Sequence, residues 1–367
     1  MKICFVTVDT NPHIGLGRVV CALSDELSRR GHTVGIITSK GESVYPMICI
    51  PLSVHKKQPV RLFKNLLAIR RFVSNYDVVV VFDPRPVGII VHAACLGLRT
   101  KIIMQTLGTY ALFESHNFFK NLLIAFTYKH SYKVFVINDF VKRCIESSKK
   151  NFSFGSNMSI VPVGVDIKLF HEVAHPSYVF GESYILSVGA IKPRKGQLKS
   201  VEAFCAIADE FPKLQYVIVG DIEENHEYIG LIRKCITDAH LEHRVHMQEK
   251  ISDEKLIDLY SGAEFFILTP TTTKEFIEGF GMVYLEAALC GATAIGTRNT
   301  GAEAAIEDKK SGLLVDEDVE SIVEAMRLLL SSASVKTEYK QYAKERALLY
   351  DWSHIADLYE KELMDIK

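Results

Sequence analysis

The amino-acid sequence predicts an α/β fold of two Rossmann-like domains, each a doubly wound parallel sheet, facing one another across a cleft. Three observations predict it. The chain has 367 residues, 48% of them hydrophobic and 24% charged, enough for two cores of about 150–200 residues each. Short runs rich in β-branched residues alternate with helical patterns in both halves, as βαβ units require. Several runs end in glycine-containing turns that open a helix, and ligands of such sheets bind at the carboxyl ends of the strands.

In the first half, residues 2–8 read as a strand. Residues 18–31 follow as a helix, with Leu23 and Leu27 on one face and Gly31 as its stop. Residues 34–38 form the next strand and 60–74 a basic helix. The run at 78–82 is continuously apolar, as expected of a parallel strand buried on both faces. Residues 101–105 and 133–137 complete the first sheet. The second half repeats the scheme with strands at 184–188, 215–219, 244–247, 265–268 and 292–296. The first domain is placed at residues 1–170 and the second at 171–350, with 171–177 as the linker. The tail, 352–367, reads as a helix capped by Ser353.

Composition narrows the function. No apolar run approaches the length of about 18 residues needed to cross a bilayer, and the N-terminus reads as a strand, not a signal peptide. Eight cysteines are scattered without a C-x-x-C pair, so reduced thiols in a cytoplasmic protein are expected, with no zinc site or disulfide framework. The charge is asymmetric. Residues 1–170 hold 22 Lys/Arg and 10 Asp/Glu, and the remainder 21 and 34. A basic half points to an anionic partner, or to attraction between the two domains.

The most informative stretch is Glu278-Gly-Phe-Gly-Met-Val-Tyr-Leu-Glu286. A strand at 264–269, a glycine turn and a helix at about 281–290 give a phosphate-binding geometry, because free N–H groups at a helix start face an anion. Glu286 shares a stripe with Met282, Leu285 and Leu289. A carboxylate on an apolar face needs hydrogen-bond donors, and either ribose hydroxyls or a neighbouring backbone would serve. Taken alone, Glu278 reads as a solvated loop residue.

The spacing E-x7-E resembles the signature of the group 1 retaining glycosyltransferases, which have the GT-B fold. The resemblance implies that Glu278 faces the donor sugar, that Glu286 binds the nucleotide ribose, and that the N–H groups of Phe280, Gly281 and Met282 stabilise the leaving diphosphate. Ser187-Val-Gly-Ala-Ile-Lys-Pro-Arg-Lys-Gly196 is similar to the family phosphate motif. It implies a donor-phosphate role for Gly189 and Lys195. Ala190 stands where the family has Arg, so Arg194 or Lys192 substitutes. Pro12-His-Ile-Gly-Leu-Gly-Arg18 resembles the family's N-terminal glycine-rich loop, which assigns Gly15 and Gly17 to the donor site. His13 in that loop either touches substrate or is simply exposed. Leu107 and Glu249 replace a His and a Gly common in relatives. Residues 160–170 resemble a segment that follows the first domain, with Gly164 and Asp166 kept. The resemblance also implies that the helix of the tail, 352–367, returns to the first domain, docked by Trp352, the only tryptophan. Asp316-Glu-Asp318 precedes a helix, where acids favour its N-terminal dipole, and is read as a cap with no metal.

By this resemblance the chain transfers a hexose-type sugar from a nucleotide-diphosphate donor to an acceptor hydroxyl, with retention of configuration and without cofactor or metal. The first domain would bind the acceptor and the second the donor. The acceptor is expected to be a glycan or a lipid-linked molecule. Nucleic acid is not an expected partner. The segment 118–126 reads either as an ordinary packed helix or as one lying on an anionic membrane, which would place the protein peripherally at the inner face. Two alternatives stay open: a nucleotide-sugar epimerase or hydrolase of the same architecture, and a non-catalytic nucleotide-sugar-binding member.

Overall fold

The chain is seen in a computed structural model that describes residues 1–12, 15–52, 59–113, 117–148, 157–223, 225–249, 251–273 and 276–366. It divides into two compact units: residues 1–164 with 352–367, and residues 165–351.

Unit 1 runs β1 (Lys2–Val6), α1 (Gly15–Arg29), β2 (Thr33–Thr38), β3 (Met47–Cys49), α2 (Pro59–Val73), β4 (Val78–Val81), α3 (Ile89–Cys95), β5 (Lys101–Thr106), α4 (Phe118–His130), β6 (Lys133–Val136), α5 (Asp139–Ser148) and β7 (Met158–Ile160). Its seven strands are parallel in the order β3-β2-β1-β4-β5-β6-β7. The order reverses between β1 and β4, where Ile3 pairs with Val34 on one side and Val78 on the other. The four valines of β4 are all buried, because helices cover both faces of a parallel sheet.

Unit 2 runs β8 (Ser183–Val188), α6 (Gln197–Ile207), β9 (Leu214–Val219), α7 (His226–Asp238), β10 (Val245–Gln248), α8 (Asp253–Gly262), β11 (Phe266–Ile267), α9 (Met282–Leu289), β12 (Ala294–Thr297), α10 (Ala302–Ala305), β13 (Gly312–Val315), α11 (Val319–Ser331) and α12 (Ala333–Leu348). The six parallel strands lie in the order β10-β9-β8-β11-β12-β13, and the reversal falls between β8 and β11. Ile185, Phe204, Ile218, Phe265 and Met326 lie in a continuous core between this sheet and its helices. The last helix, α13 (Trp352–Met364), belongs to unit 1.

Several boundaries differ from the sequence reading. β1 stops at Val6, and Val8, read as strand, is exposed beyond it. The edge strands β3, β7 and β13 were not foreseen. β3 and β7 have three residues each, too short for a period to register. Helix α13 starts at Trp352, so Ser353 sits in its first turn and does not precede it as the cap. Trp352 is buried and its ring lies against the Cα of Gly164, where any side chain would overlap it. Arg30, just after α1, bonds Asp357 and Glu360, and Lys133 bonds Glu362 at 2.8 Å, fixing α13 to the end of α1 and to β6.

The segment 165–177 is tied to unit 2. Val165 bridges to Asp351, Phe170 packs edge-on against Tyr260, and the Val173 N–H donates to Ser261. Ser177 bonds Asp258 through both its N–H and its hydroxyl. Among the described residues no helix is long and apolar enough to cross a membrane.

Candidate functional site

The candidate site of unit 2 is built on the ends of two neighbouring strands, β8 and β11. After β8 the chain turns at Gly189, whose φ of 140° suits glycine. Its N–H donates to Val219 at the end of β9, at 2.9 Å. A single 3-10 turn, Pro193–Lys195, then presents Arg194 and Lys195. Gly196 follows with φ 73° and caps α6. No other residue fits at Gly196, because a Cβ there would overlap the carbonyl of Thr269. Thr269, buried beyond β11, fixes this turn by donating to the Gly196 carbonyl at 3.0 Å and meeting Ser200 at 2.9 Å.

From Thr269 the chain leads to Glu278, whose carboxylate reaches the same turn. Arg194 Nη1 donates to Glu278 Oε2 at 2.7 Å, and Lys195 Nζ to Oε1 at 2.9 Å. The Glu278 side chain is 8% exposed, and those of Lys195 and Arg194 are 12% and 35% exposed. Burial pushes the carboxyl up, but the two adjoining cations outweigh it, and the net effect holds it below the usual glutamate range. Glu278 is thus an ionised, buried group, in contrast to the solvated loop residue it resembles in isolation. Its backbone is braced as well. The Gly301 N–H donates to the Glu278 carbonyl at 2.9 Å, and Gly301 lies so close to Gly279 that a Cβ would overlap it.

Gly281, at φ 77°, starts α9. A Cβ at Gly281 would overlap the ring of Tyr284, whose hydroxyl donates to Leu268 at 2.6 Å. The helix is shorter than expected, and it is buried nearly all round instead of carrying one apolar stripe: Tyr284, Ala287 and Ala288 are as enclosed as Leu285 and Leu289. Only Met282 and Val283 are partly exposed. Within this helix Glu286 is 4% exposed and accepts from the Tyr260 hydroxyl at 3.3 Å. Phe280 is buried against Tyr350 with ring centroids 5.4 Å apart.

The structure therefore joins Glu278, Arg194 and Lys195 directly. It sets Phe280, Gly281, Met282 and Glu286 on the turn and helix that follow Glu278, and Gly189 at the start of the cationic turn. Gly15 and Gly17 lie in unit 1, in the first turn of α1, where Gly17 packs its Cα on the Asn11 carbonyl. His13 lies outside the described residues. Arg244, immediately before β10, donates to the carbonyls of Ala208, Phe211 and Leu214. Asp318 caps α11 through the Ser321 N–H at 2.7 Å, as its sequence context predicts. Sequence reasoning missed Thr269 and Tyr260, which show no motif. Their only signal is position, at the end of a strand and on the buried face of a helix.

Chemically, two fixed cations beside a helix start can hold a diphosphate, and a buried carboxylate bonded to both can orient a polyhydroxyl group next to it. Among the described residues no group of three or more His, Cys, Asp or Glu is placed to hold a metal ion.

Comparison with known proteins finds relatives over both units. The family described as "Glycosyl transferases group 1" matches residues 175–346, and "Glycosyltransferase Family 4" matches residues 14–169. One relative is the N-acetylgalactosamine-N,N'-diacetylbacillosaminyl-diphospho-undecaprenol 4-alpha-N-acetylgalactosaminyltransferase of Campylobacter jejuni. It is 25% identical over 288 residues, covering 76% of this chain and 74% of the relative. Another is the GDP-mannose-dependent alpha-(1-6)-phosphatidylinositol monomannoside mannosyltransferase of Mycolicibacterium smegmatis, 28% identical over 49% of each chain. The chain thus spans about three quarters of the first relative and about half of the second. A solved glycosyltransferase from Rickettsia africae superposes with a TM-score of 0.81 at 19% identity, covering 99% of this chain and 98% of the other. The sucrose-phosphate synthase of Thermosynechococcus elongatus gives 0.79 at 18% identity, covering 100% and 98%.

Proposed function

This chain belongs to the group 1 glycosyltransferases of the GT-B fold, and on that premise we propose that it moves a hexose-type sugar from a nucleotide-diphosphate donor to an acceptor hydroxyl with retention of configuration. The observation that carries the reading is the buried Glu278 carboxylate bonded to both Lys195 and Arg194 beside the helix that bears Glu286.

In this reading the diphosphate of the donor meets Lys195 and Arg194. The bond between the sugar C1 and the diphosphate oxygen breaks, and its electron pair passes to that oxygen. The two cations and the N–H groups at the start of α9 stabilise the developing charge. Glu278 turns from its cations to the hydroxyls of the sugar, and Glu286 accepts from the ribose hydroxyls. The acceptor oxygen bonds C1 on the face the leaving group departs, and its proton goes to the departing phosphate oxygen. No separate base is required. Arg194 takes the place of the arginine that Ala190 lacks.

The names of both relatives describe lipid-linked acceptors, a diphospho-undecaprenol and a phosphatidylinositol monomannoside. A lipid-linked glycan is accordingly the proposed acceptor here, with the enzyme working at the cytoplasmic face of a membrane. Titration calorimetry of wild type and Glu286→Ala with a panel of nucleotide-diphosphate sugars tests the donor site. One donor binding wild type, and the variant at least about tenfold more weakly, is expected, since a lost hydrogen bond to a charged group costs about 1.5–3 kcal/mol. No binding at millimolar concentration overturns the reading.

A further inference from the structure

Unit 1 exposes an apolar surface on two helices of one layer. α2 packs on α3, and α3 on α4, over the same sheet. On α4 the face opposite Ile124 and Tyr128 turns Phe118, Phe119 and Leu122 outward, Phe119 with 77% exposure. On α2, Val60, Phe63 and Leu67 fall at i, i+3 and i+7 and are all exposed, so they form a stripe on the outer side of that helix. Single exposed apolar residues are ordinary, but aromatic and aliphatic side chains grouped on two helices of one layer mark an interaction surface.

The charge of the same helices says what covers it. α2, α3 and α4 contain no Asp or Glu. Exposed Lys64 and Arg71 accompany the stripe on α2, and exposed Lys120 and Lys129 the aromatic residues on α4. An occupant must therefore be apolar and anionic at once. An anionic bilayer meets both requirements. Apolar side chains enter the acyl boundary while the cations meet lipid phosphates.

We propose that α2 and α4 together seat unit 1 on an anionic bilayer. This deepens the reading of a lipid-linked acceptor and rests on it for its purpose, but its evidence is confined to unit 1.

The test is flotation with vesicles of phosphatidylcholine alone and of phosphatidylcholine with phosphatidylglycerol, at low and high salt. Wild type is expected to float with the anionic vesicles at low salt and to be released by salt. The double variant Phe118→Ser/Phe119→Ser is expected to bind about tenfold more weakly or worse, having lost two inserted rings. Lys64→Glu/Arg71→Glu is expected to lose at least about tenfold in binding to anionic vesicles, from about fivefold for each cation removed. Both variants alter exposed positions, so unchanged melting and unchanged donor affinity establish that they fold. Absence of flotation at low salt, or flotation that neither variant weakens, overturns the proposal. Self-association without vesicles that Phe118→Ser/Phe119→Ser abolishes also overturns it, and makes the face a contact between copies. Flotation by a wild type that binds no nucleotide sugar upholds the surface and refutes the transferase reading instead.

Discussion

A Glu278→Gln substitution keeps the shape of the side chain and removes its charge. In the structure the carboxylate bonds Arg194 at 2.7 Å and Lys195 at 2.9 Å. Each such charge-assisted bond is worth about 1.5–3 kcal/mol. The substitution leaves Lys195 nearly buried without its counter-charge, while Arg194, with 35% of its side chain exposed, turns to water. The free variant should therefore lose about 2–3 kcal/mol of stability. The effect on ligand affinity has the opposite sign. A nucleoside diphosphate binding to wild type must draw both cations away from the carboxylate, and in the variant that competition is gone. Release of one charge-assisted bond predicts about 10–100-fold tighter binding of the diphosphate, while transfer falls because the sugar loses its partner. Calorimetry with UDP, GDP and ADP, with melting curves beside it, measures both changes. If every diphosphate binds the variant no more tightly than it binds wild type, the cations are not the phosphate site and the reasoning fails.

Three further outcomes follow from the same geometry. Glu278 titrates below its ordinary value of 4.5 because Lys195 and Arg194 outweigh its burial. As pH falls, the unfolded chain therefore takes up the proton first. The stabilisation by Glu278 is complete above about pH 4.5 and is lost as pH drops through the lowered folded value. Urea denaturation from pH 6 to pH 3 should accordingly show the stability gap between wild type and Glu278→Gln closing below pH 4.5. Gly196→Ala places a methyl group against the Thr269 carbonyl at φ 73°, and its melting should report a loss above about 2 kcal/mol. Trp352→Ala empties the site over Gly164 and should cost about 3–5 kcal/mol, seen as earlier unfolding of unit 1.

The sheets were legible because parallel strands buried on both faces leave continuous apolar runs: β4 and β8 could be read directly, whereas β3 and β7, with three residues each at the edges, could not. Of the candidate site, the spacing of the carboxylates of residues 278 and 286 and the turn at 193–196 could be read in the sequence. Its supporting residues were not. Thr269 acts through a bond to a residue 73 positions away, and Tyr260 reaches Glu286 from a different helix. Contacts of that kind are set by the register of packed elements and leave no local pattern. The charge of Glu278 was likewise invisible in the linear chain, because it depends on a turn 83 residues earlier folding onto it. The outward face of α4 could be read from its composition only as one of two possibilities, since the same residues suit a packed helix.

Retention of configuration is the central chemical claim, and water as a surrogate acceptor tests it with no knowledge of the natural one. Proton NMR of wild type with the donor that binds in calorimetry follows the released sugar from its first minutes. An α-linked donor is predicted to give nucleoside diphosphate and the α-hexose, which mutarotates afterwards, and Lys195→Ala is predicted to release neither at a comparable rate. A β-hexose as the first product contradicts the account.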